Sequence, residues 1–263
     1  MEQVTFRGAW TRSLGGVTLD QSYRLEPTQL AGFIQTFRSV FPESVAGSVS
    51  AAEFESYGAA LDLKFKTGTY LGLQAEGLDS TANQTAGAFR LNIPVVPYST
   101  REHLDFNERS AGATVNQLLG RDWSFGASYK FLSSRLNTHL VDIPTSVLPS
   151  ADDTSRSDLH RVSAYLRFNH PSGFFAAAEA NWYSQDNQLR THDATSTPME
   201  MDLPSDDFTQ VNLFVGWRFP RQRGDVTLGV LNIGGDDYHL NPLNSFPELP
   251  HQRVFAANFR LRF

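Results

Sequence analysis

The sequence predicts an all-β chain: an antiparallel up-and-down transmembrane β-barrel, or part of one, of about eleven strands with short periplasmic turns and long extracellular loops. Three observations predict it. Segment after segment alternates apolar and polar residues with the two-residue period of a strand. The connections alternate strictly between short and long. The chain closes on the stretch from Arg253 to Phe263, which sets Phe255, Ala257, Phe259, Leu261 and Phe263 against Val254, Ala256, Asn258, Arg260 and Arg262. An oily outside with a polar inside inverts a soluble sandwich, and it is what a closed sheet in lipid requires.

The strands read in order as 3–12, 16–25, 54–66, 69–79, 102–118, 122–138, 156–169, 173–184, 207–219, 224–233 and 252–263. The pattern is plainest in 209–219, where Val211, Leu213, Val215, Trp217 and Phe219 oppose Gln210, Asn212, Phe214, Gly216 and Arg218. It is as clear in 57–66 (Tyr57, Ala59, Leu61, Leu63, Phe65) and 173–183 (Phe174, Ala176, Ala178, Ala180, Trp182). Segment 102–118 slips phase near Ser110, which reads as a bulge. Segment 27–41 repeats Leu30, Phe33, Ile34, Phe37 and Phe41 at helical spacing after Pro27 and reads as a helix. A further strand in 84–93 is the competing reading of one long loop.

Short turns fall at 13–16, 66–68, 120–122, 170–173 and 220–224, each rich in residues that permit tight reversal. Long loops fall at 26–52, 79–101, 139–156, 185–206 and 234–251 and are the candidate recognition loops. Trp10, Phe65, Trp123, Phe168, Phe174, Trp217, Phe219 and Phe263 lie beside short turns or at the terminus, as a periplasmic aromatic girdle would. Trp182 stands roughly 23 Å higher at the usual rise and tilt, which assigns it to the outer girdle. The opposite faces supply a lumen-lining set: Arg7, Arg24, Asp62, Lys64, Gln74, Glu76, Lys130, Arg161, Arg167, Glu179, Arg218, Arg260 and Arg262. That set either guides an anionic solute or forms an ion-pair network that stiffens the wall.

Composition narrows the function. A net charge of -6 argues against a nucleic-acid partner, and the absence of cysteine removes disulfide and thiolate-metal chemistry. The mean hydropathy of -0.32 suits a sheet with one wet face. Acidic loops (Asp152, Asp153, Asp186, Asp193, Glu200, Asp202, Asp206, Asp207, Asp236, Asp237, Glu248) lack the spacing of a calcium loop. His239 and His251 flank one loop without a metal-ligand spacing, so neither a metal nor a cofactor is expected. No enzyme is expected either. His160 and Ser163 fall on opposite faces, Ser133 and His139 lie about 20 Å apart along a strand, and no Gly-x-Ser-x-Gly elbow occurs.

Eleven is an odd count, and a terminus in the periplasm would then start the first strand outside the cell. Residues 1–263 are accordingly expected to be one barrel segment, the C-terminal portion of a longer barrel. The alternative is a complete small passive porin or structural barrel.

The stretch from Leu228 to Tyr238 (an alternating strand ending Leu231-Asn232, then Gly234-Gly235-Asp236-Asp237) resembles the penultimate strand of TonB-dependent receptors. The closing strand resembles theirs too, as do Leu25-Glu26-Pro27-Thr28-Gln29 and the stretch from Tyr238 to Asn244 with Leu249-Pro250. The resemblance implies a barrel of about 22 strands with an N-terminal plug, of which this chain would supply half the wall and no plug. It implies outer-membrane lipid, the missing barrel or plug segment, and a small-molecule or polymer solute as partners. It also implies capture by the barrel-assembly machinery through the C-terminal strand.

Overall fold

In the computed structural model the described residues are 3–14, 29–30, 33–34, 52–90, 94–193, 195–220 and 223–261. Ten strands form one antiparallel up-and-down sheet in the order β1-β4-β5-β6-β7-β8-β9-β10-β11-β12. They are β1 (Gln3–Leu14), β4 (Glu53–Lys64), β5 (Thr69–Arg90), β6 (Val96–Leu119) and β7 (Trp123–Leu140), followed by β8 (Asp152–Asn169), β9 (Phe174–His192), β10 (Pro198–Arg218), β11 (Gly224–Leu231) and β12 (Val254–Leu261). A two-stranded hairpin of β2 (Gln29–Leu30) and β3 (Phe33–Ile34) stands where a helix is expected over 27–41. The fold is all-β and every pairing joins chain neighbours among these ten, the arrangement of a partial barrel.

The tight turns are built by glycine. Gly68, Gly120 and Gly173 all have positive φ. At Gly173 a Cβ would come within 2.3 Å of the Arg218 carbonyl oxygen, so only glycine fits.

The first strand departs from expectation. Ser13 and Leu14 do not turn; they continue β1 and pair with Phe54 and Glu53 of β4. The expected strand 16–25 lies outside the described residues, and β1 is neighbour to β4 instead. Gln3 pairs with Lys64, so β1 starts at the short-turn end, the same end at which β12 finishes. Ten is an even number, so strand parity does not separate a fragment from a whole barrel.

The long loops shrink because their flanking strands run on. β5 and β6 have 22 and 24 residues, about twice the 9–11 that span a bilayer. Residues 79–101 are thus mostly hairpin, as are 185–206, and of the candidate strand 84–93 residues 84–90 form the upper part of β5, while 91–93 lie outside the described residues. Asp152, Asp153, Asp186, Glu200, Asp202, Asp206 and Asp207 sit in strands, not loops.

The polarity of strands β4 to β10 reverses part-way up. Near the short turns the outer face is apolar: the pairing places Leu61, Leu73, Ala113, Tyr129, Leu166, Ala178, Leu213, Leu228 and Phe255, from nine strands, on that one face. Higher up, the outer face carries Glu55, Asp79, Asn107, Arg135, Asp158, Asp186 and Asp207, while the inner face takes Phe54, Leu78, Phe106, Leu132, Leu159, Tyr183 and Phe208. The phase slip at Ser110 is this reversal. β6 keeps unbroken register with both neighbours, so there is no bulge there; the register shift lies between Leu203 and Asp206 of β10.

Candidate functional site

The upper inner face is not an open lumen. The connection 232–253 folds inward and covers it. Leu243 joins a buried cluster of Ala52, Phe54, Leu78, Ala82, Leu104 and Phe106, and Tyr238 and Leu240 join Leu132, Leu159, Tyr183 and Phe208. One segment therefore touches strands from β4 to β10, which places it on the concave side of a curled sheet. Each large apolar side chain buried there contributes about 1.5–3 kcal/mol.

Two asparagines fasten this segment, both fully buried. Asn232 has φ 49°, a left-handed conformation that asparagine tolerates. Its side chain donates to the carbonyls of Asp236 (2.8 Å) and Pro250 (3.0 Å) and accepts from the N–H groups of Gly235 and Asp236. Asn244 donates to Ser134 Oγ (2.8 Å) and the Ser157 carbonyl (2.9 Å), and its Oδ1 accepts from Gln185 (2.9 Å). Every amide hydrogen of both side chains is used, as burial requires.

Gln185 reads the backbone of the same segment. It donates to the Asn241 carbonyl (3.1 Å) and accepts from the Asn241 N–H (2.6 Å). Gln210 donates to the Asp236 and Pro250 carbonyls. The Tyr238 hydroxyl closes the segment on itself through both polar groups of Leu249 at 3.1 Å.

Four rings stack in series: Tyr183 on Phe208 (5.2 Å, 3°), Phe208 on Tyr238 (5.1 Å, 15°), and Tyr238 on His251 (4.3 Å, 7°). His251 Nδ1 lies 2.6 Å from Asp237 Oδ1. That hydrogen bond, with one from the Tyr238 N–H, holds the Asp237 carboxyl below its ordinary range. Arg101 does the same to Asp142, and Thr195 with the Thr197 and Thr195 N–H groups does it to Asp193 at the β9–β10 turn. His239 and His251 thus meet separate partners: the His239 N–H donates to Asp206.

Of the expected lumen set, Arg7, Asp62, Lys64, Gln74, Glu76, Lys130, Arg161, Arg167, Glu179, Arg218 and Arg260 lie on the inner face. Arg24, Arg262 and the terminal Phe263 lie outside the described residues. Arg7 pairs with Asp62 at 2.7 Å and Arg167 with Glu179 at 3.5 Å. Arg167 covers the Tyr165 ring (4.9 Å) and Arg218 the Phe175 ring (4.7 Å). Those rings in turn lie over Gly126 and Gly216, where a Cβ would come within 2.5 and 2.3 Å of them.

The outer aromatics mark two levels. Trp123 and Phe168 pack with tilted rings at 4.6 Å beside the short turns, with Phe174 and Trp217 paired in register, Phe219 against Phe259, and Phe65 in the β4–β5 turn. Trp182 is at the upper level, its indole N–H donating to Asp207 (3.1 Å). Trp10 is a correction. It lies at that upper level rather than by a short turn, because β1 continues past it, and its N–H donates to Glu55 (2.8 Å). Tyr129 and His160 share a 2.8 Å hydrogen bond at the same height. His160 faces Ser184 across β8–β9, and among the described residues no hydrogen bond joins that pair.

No family model matches the sequence, and no curated protein does. Among solved structures, the ferric yersiniabactin uptake receptor of Yersinia pestis is similar over 72% of this chain and 30% of its own, at 13% identity and a TM-score of 0.48. The chain therefore spans less than a third of that receptor's length.

Proposed function

We propose that this chain is wall, lumen lining and extracellular hairpins of an outer-membrane β-barrel of TonB-dependent-receptor type, serving uptake or passage of a nutrient or polymer, with no catalytic role. The observation that carries this reading is the uncovered apolar belt. Phe6, Leu73, Leu213, Leu228 and Phe255 are all exposed, so the described residues leave this face uncovered. Soluble monomers seldom leave so long a patch bare. Indole and phenol groups with carboxylate or imidazole partners bound the belt above, the arrangement that suits a membrane–water interface.

Among the described residues β1 and β12 each have one neighbour. In lipid each unpaired backbone group costs several kcal/mol, so further strands of a longer barrel, a plug segment and the barrel-assembly machinery are the partners proposed with the lipid. A complete small porin would need β1 paired with β12, and that pairing is absent among the described residues.

Insertion into phosphatidylcholine vesicles tests the reading. The chain is expected to resist carbonate extraction and to migrate faster in gels before boiling than after. A protein that stays monomeric and water-soluble without lipid would defeat it.

A further inference from the structure

We propose that the upper inner face over β4–β10 is a peptide-binding groove, held shut by the chain's own segment 239–245 seated in it as a peptide ligand would be. The inference rests on the interior contacts and is independent of what covers the outer belt.

The contacts have the form of peptide recognition. Gln185 takes both the N–H and the C=O of Asn241, a bidentate reading of one residue's backbone that ignores its side chain. Leu243 drops into the apolar pocket of Phe54, Leu78, Leu104 and Phe106. Asn244 fills an amide-specific pocket of Ser134, Ser157 and Gln185, with Ser157 Oγ 2.5 Å from its Oδ1. Apart from Asp206, which accepts from the backbone N–H of His239 at the segment's start, the groups that read the segment are neutral donors and acceptors beside rings and aliphatic carbons. They suit an uncharged peptide with an amide side chain three residues after its anchored unit. Residues of the groove and of the segment lie as far apart in the chain as Phe54 and Leu243, so the groove is a surface built by other strands that the segment enters.

The hold on the segment is also local. β11 and β12, which carry it, have 8 residues each, the shortest strands of the ten-stranded sheet, and β12 is an edge. An external peptide of matching pattern competes with a tethered copy that occupies the groove most of the time. Its apparent affinity falls by the fraction of molecules that are open.

The test uses a fluorescent capped peptide of residues 239–245 (His-Leu-Asn-Pro-Leu-Asn-Ser) and anisotropy in detergent micelles. A variant with 239–245 replaced by glycine and serine should bind it saturably, and wild type at least about tenfold more weakly. Adding Gln185→Ala to the replaced variant should remove at least about tenfold of the affinity, since both backbone contacts go. Should the replaced variant not fold, Leu243→Ala loosens the latch and should bind the probe more tightly than wild type does. No saturable binding to a folded replaced variant overturns the proposal. So does equal affinity with and without Gln185, no gain in Leu243→Ala, or preference for a neutral oligosaccharide of similar length over the peptide.

Discussion

Leu159 and Asp158 are neighbours in sequence and opposites in solvent. Leu159 is fully buried under the inward segment, while Asp158 turns outward to an ion pair with Arg156 at 2.8 Å. Four residues further along the same strand the order is reversed, with Val162 outside and Ser163 inside. A strand's faces are fixed by its pleat, so what changes between the two levels is the surroundings. Below, the outer face is apolar, which the proposed function assigns to lipid, and the inner face polar; above, the outer face is polar and a protein core lies inside.

Charge placed on the outer face should therefore cost according to height. Leu213→Arg, in the middle of the belt, is expected to destabilise the lipid-inserted protein by about 2–4 kcal/mol, and Gln188→Arg, above Trp182, by less than about 1. Denaturant titration in vesicles reads both. Equal costs would refute a belt of lipid depth.

The buried amide of Asn244 satisfies three partners at once. Asn244→Ala should leave Ser134, Ser157 and Gln185 short of partners, and cost about 1–3 kcal/mol. Hydrogen exchange should rise across 236–250 in particular, with β7 and β8 still protected. A change spread evenly over the sheet would show that the segment is not a separate unit.

Gly216 lies under the Phe175 ring, and a Cβ there would also come within 2.4 Å of the Val226 carbonyl oxygen. Backbone cannot step aside as a side-chain tip can, so Gly216→Ala is expected to cost about 1–3 kcal/mol. Gly87→Ala, with nothing within 4 Å of its Cβ, should stay within about 0.5 kcal/mol. Thermal unfolding of the two variants side by side decides it.

The Asp237–His251 contact gives the latch a pH dependence with a fixed sign. Asp237 is depressed in the folded state by its hydrogen bond with His251. Its contribution is present above the ordinary carboxylate range near about 4 and is lost as pH falls through the lower folded value. Hydrogen exchange in 234–251, corrected for intrinsic rates, should hold steady from neutral pH to about 5 and accelerate only in stronger acid. Asp237→Asn should abolish that acid step; an unchanged step would assign it to another group.

The apolar belt was legible in the sequence because period-two alternation is unambiguous where one face is apolar and the other polar. The upper half was not. Leu104 and Phe106 occupy even positions while Ala111, Ala113 and Val115 occupy odd ones, and a bulge explains such a switch as well as a change of solvent does. Residues 84–90 set Gln84, Ala86, Ala88 and Arg90 against Thr85, Gly87 and Phe89, so neither face is consistently apolar; the ladder with β6 decides it. The inward segment did leave a signal. Tyr238, Leu240, Leu243, Phe246 and Leu249 are too many large apolar groups for a solvated loop. The role of Asn232 and Asn244 left none, because buried and exposed asparagines read alike. Trp10 was misplaced because Gly15-Gly16 looks like a hairpin turn whichever strand pairs with β1.

A nitroxide scan along β9 in lipid vesicles tests the central claim most directly. Oxygen, which concentrates in lipid, should relax labels at 176, 178 and 180 more than at 177, 179 and 181. Above Trp182 the even positions should become the ones open to an aqueous nickel reagent, and 183 and 185 should be closed to both. Even positions that meet nickel along the whole strand would contradict a lipid-facing belt and the account built on it.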